Sequence, residues 1–125
     1  MKTLMELIDT IKSGPDYDKV GMILCHNGVV RGTSRNGRPV SGLKMSINYN
    51  RLENLLTEYR RKPGIVDIQI ALNNQINLTV GDDVMVLVVA GDVRENVIDI
   101  LRRLLDDIKT TVTHKTEFFT DSGPP

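Results

Sequence analysis

The sequence lacks most of the features that announce a function. It holds one cysteine, Cys25, so it closes no intramolecular disulfide and builds no zinc site mainly from thiolates. No run approaches the ~20 apolar residues of a membrane span. The N-terminal MKTLMELIDTIKSG has charges every few residues and no apolar stretch of leader length. These absences predict a soluble, cytoplasmic chain with no membrane partner. Neither sign of charge dominates, because 16 Lys and Arg balance 16 Asp and Glu. A nucleic-acid surface usually carries a basic excess, so no nucleic-acid partner is expected. The GxxxxGK[ST] loop, GxGxxG, GxSxG and HExxH are all missing.

What is present is globular in character. The chain has 125 residues, 40% apolar and 26% charged, which suits one domain. The reading is a single domain over residues 1–119, with 120–125 as a mobile tail.

Hydrophobic periodicity orders the elements. Leu4, Met5, Ile8 and Ile11 recur at helical spacing, and Ser13-Gly14-Pro15 ends that helix. Lys19–Val30 reads as a strand interrupted at Asn27-Gly28, followed by the polar loop RGTSRNGRP. Leu43, Met45, Ile47 and Tyr49 alternate as in a half-buried strand. Leu52, Leu55, Leu56 and Tyr59 make one helical stripe, closed by Pro63-Gly64. Val66, Ile68, Ile70 and Leu72 alternate again, and a short apolar piece follows at Ile76–Val80. Val84–Ala90 is apolar throughout, as in a strand covered on both faces. A helix with Val93, Val97, Leu101, Leu104, Leu105 and Ile108 on one face comes next, with Asp92 as its expected N-cap. TVTHKTEFF, residues 111–119, is a last strand. The order α, β, β, α, β, β, β, α, β implies an α+β fold. Helices should pack on a largely antiparallel or mixed sheet.

The candidate chemistry is cationic. Arg31, Arg35 and Arg38 share one loop, where Gly28 and Gly32 let backbone approach a ligand. Arg94 stands in the first turn of a helix, where an anion is favoured and an arginine is not, unless it pairs with a neighbour such as Asp92. Lys109 closes that helix, and Lys115 follows in the last strand. Buried lysines can act as nucleophiles, proton carriers or anion clamps. A metal site from Cys25, His26 and His114 is not expected, because adjacent strand residues face opposite ways. A buried cysteine and a surface or rim histidine are the simpler expectation.

Four segments, in order, resemble the MoaE family, the large catalytic subunit of molybdopterin synthase. GMILCHNGVVR, residues 21–31, is similar to an apolar strand ending in G-x-V-R-N. INLTVGDDV, residues 76–84, resembles the family's G-x-L-x-x-G-[DE] turn. Ala90-Gly-Asp-Val-Arg94, fourteen further residues and Lys109 lie on its S-S-x-H-R…LK helix without a gap. Lys115-Thr-Glu117 resembles the closing W-K-x-E.

The resemblance, over about residues 20–119, implies an α/β-hammerhead fold. It also implies a sulfurtransferase that installs two dithiolene sulfurs in a cyclic pyranopterin monophosphate, the substrate, to make molybdopterin. The sulfur would arrive as a thiocarboxylate on the Gly-Gly tail of a small ubiquitin-like subunit. Two large subunits would form a central homodimer within a heterotetramer, with no permanently bound cofactor and no metal. By position, Lys109 and Lys115 would be catalytic, and Arg31 and Arg94 would bind substrate. Two departures stand out. Val93 replaces the histidine of the H-R pair, and Thr113-His114 replaces P-x-W with one residue fewer. Lys115 therefore stands one position out of register, which in a strand decides the face. The alternative is a non-catalytic relative that binds a ubiquitin-like carrier or a pterin phosphate.

Overall fold

The apolar run Val84–Ala90 lies at the centre of the molecule. In the computed structural model, which describes residues 1–120, it belongs to a strand with a helix-covered layer on each side. The elements in chain order are α1 (Leu4–Lys12), β1 (Met22–Val29), β2 (Val40–Ile47), α2 (Tyr49–Arg60), β3 (Ile65–Leu72), β4 (Asn77–Thr79), β5 (Asp83–Gly91), α3 (Arg94–Thr111) and β6 (Thr113–Phe119). The expected α+β order holds. The strands divide into two three-stranded antiparallel sheets, β1-β5-β3 and β4-β2-β6. The residues expected as a mobile tail lie, from Asp121 onward, outside the described residues.

Alternation along β5 separates two cores. Val86, Val88 and Ala90 face α1 and pack with Leu7 and Ile11. Met85, Leu87 and Val89 face the other way, into the main core with α2, α3 and the second sheet. Leu52, Leu55, Leu56 and Tyr59 of α2 and Val97, Ile100, Leu104 and Ile108 of α3 fill that core. The Tyr59 hydroxyl donates to Asp107, tying α2 to α3. Burial and that carboxylate push the tyrosine up to about 12.

Several boundaries differ from the sequence expectation. Residues Tyr17–Lys19 form a 3-10 turn, and β1 begins only at Met22. Asn27-Gly28 does not break β1. Both residues pair with β5, and the irregularity falls between Gly28 and Val29. Tyr49 is not the end of a strand but the first residue of α2, because the Asn48 side chain accepts the Arg51 N–H and caps the helix. Asp92 is not the N-cap of α3. Val93 holds the extended cap conformation, and the Asp92 carboxylate accepts from the Val93 N–H and the Asn96 amide. Cys25 is exposed, not buried, because it lies on the outward face of the edge strand β1 beyond the cover of α1.

Chain direction sets the geometry of the two ends. β5 runs antiparallel to β1 and leads through a short turn into α3, which packs back over β1 and β5. The start of α3 therefore lies beside the start of β1, where Gly21 N–H donates to Gly91 O at 2.8 Å. The end of α3 lies with the end of β1.

Leu87 is fully buried at the centre of this arrangement. Truncation to alanine removes core contacts that neighbouring strands cannot collapse to replace. Leu87→Ala is expected to cost about 2–5 kcal/mol, read as a lower urea midpoint at unchanged slope. An unchanged midpoint would show that β5 is not the central strand.

Candidate functional site

A cleft of about 670 Å³ opens where β1, α3 and β6 end or begin together. Arg31, Arg35, Lys109, Lys115 and Glu117 line it, with Val29 and Phe119 as apolar flanks. Three of the four cations singled out from the sequence, Arg31, Lys109 and Lys115, thus come together. Each stands on a different segment: the loop after β1, the last turn of α3, and β6.

Register decides the direction of Lys115. It pairs across the sheet with Met45, and Glu117 pairs with Leu43. Directly opposed residues share a face, and Leu43 and Met45 are buried in the main core. Lys115 and Glu117 therefore point inward, toward α3, at the open margin of the core. His114 pairs with Ser46 on the opposite face.

Electrostatics follow from that placement. Partial burial and the neighbouring Lys109 charge lower the Lys115 ammonium below the usual lysine range, while Glu117 opposes the shift. Arg31 is oriented by its own loop, since its Nε donates to Thr33 O at 2.8 Å. The outer guanidinium nitrogens carry the remaining donors, in the fork geometry that suits a phosphate.

His26 does not line the cleft but lies near enough to feel the Lys109 and Lys115 charges, and sequence reasoning did not place it there. It shares the inward face of β1 with Met22 and Leu24, which pack on the main core. Its ring lies along Gly28, with Nε2 3.4 Å from where a Cβ would stand. Burial, then Lys109 and Lys115, push its pKa below the ordinary 6.5, so it is neutral at pH 7. The period-2 face shared with Met22 and Leu24 was the signal that could have found it. Arg35 was noted only as one arginine of a loop, and it lines the cleft directly.

Arg94 stands apart. It opens α3, fifteen residues before Lys109, which is roughly 22 Å along a helix. Its side chain is 78% exposed and pairs with Glu95 at 3.3 Å, not with Asp92. Cys25 and His26 occupy opposite faces of β1, and desolvation pushes the Cys25 thiol up, away from a reactive thiolate. Among the described residues, no group of three or more His, Cys, Asp or Glu side chains is arranged around a metal position, and no helix is long and apolar enough to cross a membrane.

With this geometry established, comparison with known proteins decides the family. The family model MoaE protein matches residues 2–111. The chain belongs to the MoaE family. Solved structures share its fold. Molybdopterin synthase from Staphylococcus aureus aligns with TM-score 0.75 at 18% identity, over 95% of this chain and 85% of that one. Molybdopterin cofactor biosynthesis protein E from Burkholderia multivorans gives 0.73 at 22% identity, over 94% and 82%. A complex of subunits 1 and 2 of molybdopterin-converting factor from Helicobacter pylori contains a chain that gives 0.69 at 17% identity, over 94% and 80%. No curated protein sequence matches the chain. This MoaE chain therefore keeps the family's fold at low sequence identity.

The charge arrangement makes a test. Lowered folded-state pKa values mean that the unfolded chain binds more protons. The stability contribution of Lys115 therefore rises with pH from its lowered pKa up to the ordinary 10.5, and that of His26 rises up to 6.5. Lys109→Met removes one shared charge at similar volume. The His26 midpoint, followed by NMR of its ring, is expected to move up toward 6.5. Acylation of Lys115 at about pH 9, followed by peptide mass, is expected to slow as its pKa rises. A His26 midpoint that does not move would separate it from the lysine cleft.

Proposed function

We propose that this chain works in molybdenum cofactor biosynthesis as the large subunit of a molybdopterin synthase. In this reading it transfers sulfur from a thiocarboxylated small protein to a cyclic pyranopterin monophosphate. The observation that carries the reading is the meeting of Arg31, Lys109 and Lys115 in one open cleft of a MoaE-family chain.

The residues suit the chemistry. A phosphate-bearing substrate needs a cationic fork, and Arg31 presents one with its Nε already held. A thiocarboxylate is also an anion, and the lysines attract it. Its sulfur attacks a pterin side-chain carbon, the C–O bond from that carbon to the cyclic phosphate breaks with the electron pair leaving on the phosphate oxygen, and the thiocarboxylate becomes a thioester between carrier and pterin. Water then cleaves that link, leaving sulfur on the pterin and a carboxylate on the carrier tail. Lys109 stabilises the oxyanion that develops when water adds to the acyl carbon. Lys115, with its lowered pKa, supplies the amine that takes up and returns the proton, or briefly accepts the acyl group. The expected small partner is ubiquitin-like with a Gly-Gly tail; the Helicobacter pylori complex of subunits 1 and 2 of molybdopterin-converting factor supports a partner subunit.

Arg94 enters this reading only through a second copy. It lies at the far end of α3 from its own cleft, so it would serve the cleft of a homodimer partner. The homodimer, and a heterotetramer with two small subunits, are expected from the family resemblance. Val93, 50% exposed where the family has histidine, favours the second reading, a relative that binds the carrier or the pterin phosphate without turnover.

Reconstitution separates the two readings. With a thiocarboxylated small subunit and precursor, the wild-type chain is expected to form molybdopterin and Lys109→Ala to form none. Wild-type turnover in Lys109→Ala would remove the lysine from the mechanism, and an inert wild-type chain would leave the binding role. Subunit mixing tests the shared site. Lys109→Ala and Arg94→Ala chains, each inactive alone, should regain about a quarter of wild-type activity when exchanged. Half of the dimers are then mixed, and one of their two sites is intact. No recovery in exchanged dimers would exclude a shared site.

A further inference from the structure

A turn between β4 and β5 holds the backbone that carries Arg31. The last sheet pairing of β1 is Val29 with Asp83, after a register shift at Gly28. The turn takes over at Val30. Gly81 N–H donates to Val30 O at 2.9 Å, and Val30 N–H donates to Asp82 O at 2.9 Å. Both backbone groups of Val30 are therefore taken up by two adjacent residues of one turn. The Val30 side chain is buried in the main core, while Val29 and Arg31 on either side of it line the cleft. A third contact lies just past the arginine. Val80 Cγ1 stands 3.7 Å from where a Cβ on Gly32 would be, so the turn brackets Arg31 from both sides.

One side chain closes the turn. Thr79–Asp82 is a β-turn, with Asp82 N–H donating to Thr79 O at 3.0 Å. Its third residue, Gly81, holds φ 91°, a left-handed conformation that glycine adopts freely. The Asp82 carboxylate folds back across the turn. Its Oδ2 accepts both the Thr79 N–H at 2.8 Å and the Thr79 hydroxyl at 3.1 Å. Asp82 thus acts at both ends. Its carboxylate clasps Thr79, and its carbonyl, together with the Gly81 N–H, grips Val30. Holding four residues in one shape costs backbone entropy, and hydrogen bonds to a charged acceptor offset that cost.

Asp82 itself lines a separate cavity of about 470 Å³, with Lys2 and Asn73. Its effect on an anion in the cleft therefore runs through backbone. The other ties on Arg31 lie downstream. Val40 N–H donates to Gly32 O at 2.9 Å, and the arginine's own Nε donates to Thr33 O. Those ties fix the loop to β2, and the turn fixes it to β5.

We propose that Asp82 is a positioning residue for Arg31. It closes the turn that fixes Val30, and through Val30 it keeps the guanidinium aimed into the cleft. This deepens the reading above and rests on it, since Arg31 is there the fork that takes the substrate phosphate. An arginine held in place beforehand loses less freedom when the anion binds. The consequence is a specific non-additivity: Asp82 matters to anion binding only while Arg31 is present.

The test is a double-mutant cycle on the full chain, with inorganic phosphate as the probe and the Glu117 and Phe119 amides as NMR reporters. Asp82→Ala is expected to weaken phosphate binding by about three- to ten-fold. In an Arg31→Gln background the same change is expected to alter the affinity by less than about two-fold. Asp82→Asn keeps an oxygen that can accept from Thr79, and it is expected to bind phosphate within about two-fold of wild type. Loss of a remote negative charge by itself would strengthen phosphate binding, so the direction of the alanine effect separates turn from charge. A second readout needs no ligand. The Arg31 Nε–H, bonded to Thr33 O, is expected to exchange with water faster in Asp82→Ala than in wild type or Asp82→Asn. Equal weakening with and without Arg31, no weakening in either, an asparagine chain as weak as the alanine one, or an Nε–H that Asp82→Ala leaves unchanged would each overturn the proposal. If Asp82→Ala does not fold, Thr79→Val goes through the same cycle and exchange measurement, because it removes the hydroxyl half of the clasp, and the same outcomes decide. A wild-type chain that gives no phosphate shift would instead refute the phosphate reading of Arg31. The Nε–H exchange would then still decide what Asp82 holds.

Discussion

The structure depends on β5 being covered on both faces. A strand with no polar side must find two apolar layers, and α1 and the α2–α3 layer supply them. Once β5 is central in its sheet, β1 and β3 must pair on its two sides, both antiparallel. The helix that leaves β5 then has one direction open to it, back over the sheet alongside β1. That direction carries Lys109 to the end of β1 where Arg31 begins its loop, and it leaves Arg94 at the other end. The cleft is thus a consequence of where the apolar residues must go.

A cost accompanies that arrangement. Arg31, Arg35, Lys109 and Lys115 face one opening with Glu117 as the only carboxylate lining it among the described residues. Partial burial on the inward face of β6 and the neighbouring Lys109 both disfavour the charge of Lys115. The fold tolerates this because the Lys115 ammonium can lose its proton more easily than an exposed lysine. His26, half-buried on the inward face of β1 and held below its ordinary pKa, adds no further charge at pH 7. Any ligand that bound the folded state alone would add stability there by mass action.

Much of the fold was legible in the sequence because period carries it. The stripe Leu52, Leu55, Leu56, Tyr59 and the alternation Leu43, Met45, Ile47 each allow one secondary structure only, and the order of all nine elements follows. What was hidden depends on pairing. Periodicity does not say that the six strands split into two sheets, nor that β1 is an edge strand whose outer face leaves Cys25 exposed. Asp92 looked like a cap because caps are read from residue type, yet the extended backbone falls on Val93 and the carboxylate bonds outward to Asn96. For the site, Arg31, Lys109 and Lys115 could be named from their segments. The separation of Arg94 and the inward face of His26 required the direction of α3 and the register of β1.

The missing residue before Lys115 shows how register outranks counting. Measured from the helix, one deletion should turn a strand side chain to the other face. In this chain β6 takes its register from β2, whose buried Leu43 and Met45 demand inward partners and find Glu117 and Lys115. The connection absorbs the difference. Val112 is the single residue between α3 and β6, is buried, and holds a helical C-cap conformation whose N–H still bonds to Ile108 O. Its carbonyl meanwhile accepts the Asn48 N–H at 2.8 Å, which locks the end of α3 to the start of α2. The strand therefore begins from a fixed point, set by packing on both sides. A shortened connection can then change the spacing between Lys109 and Lys115 without turning Lys115 away from the cleft.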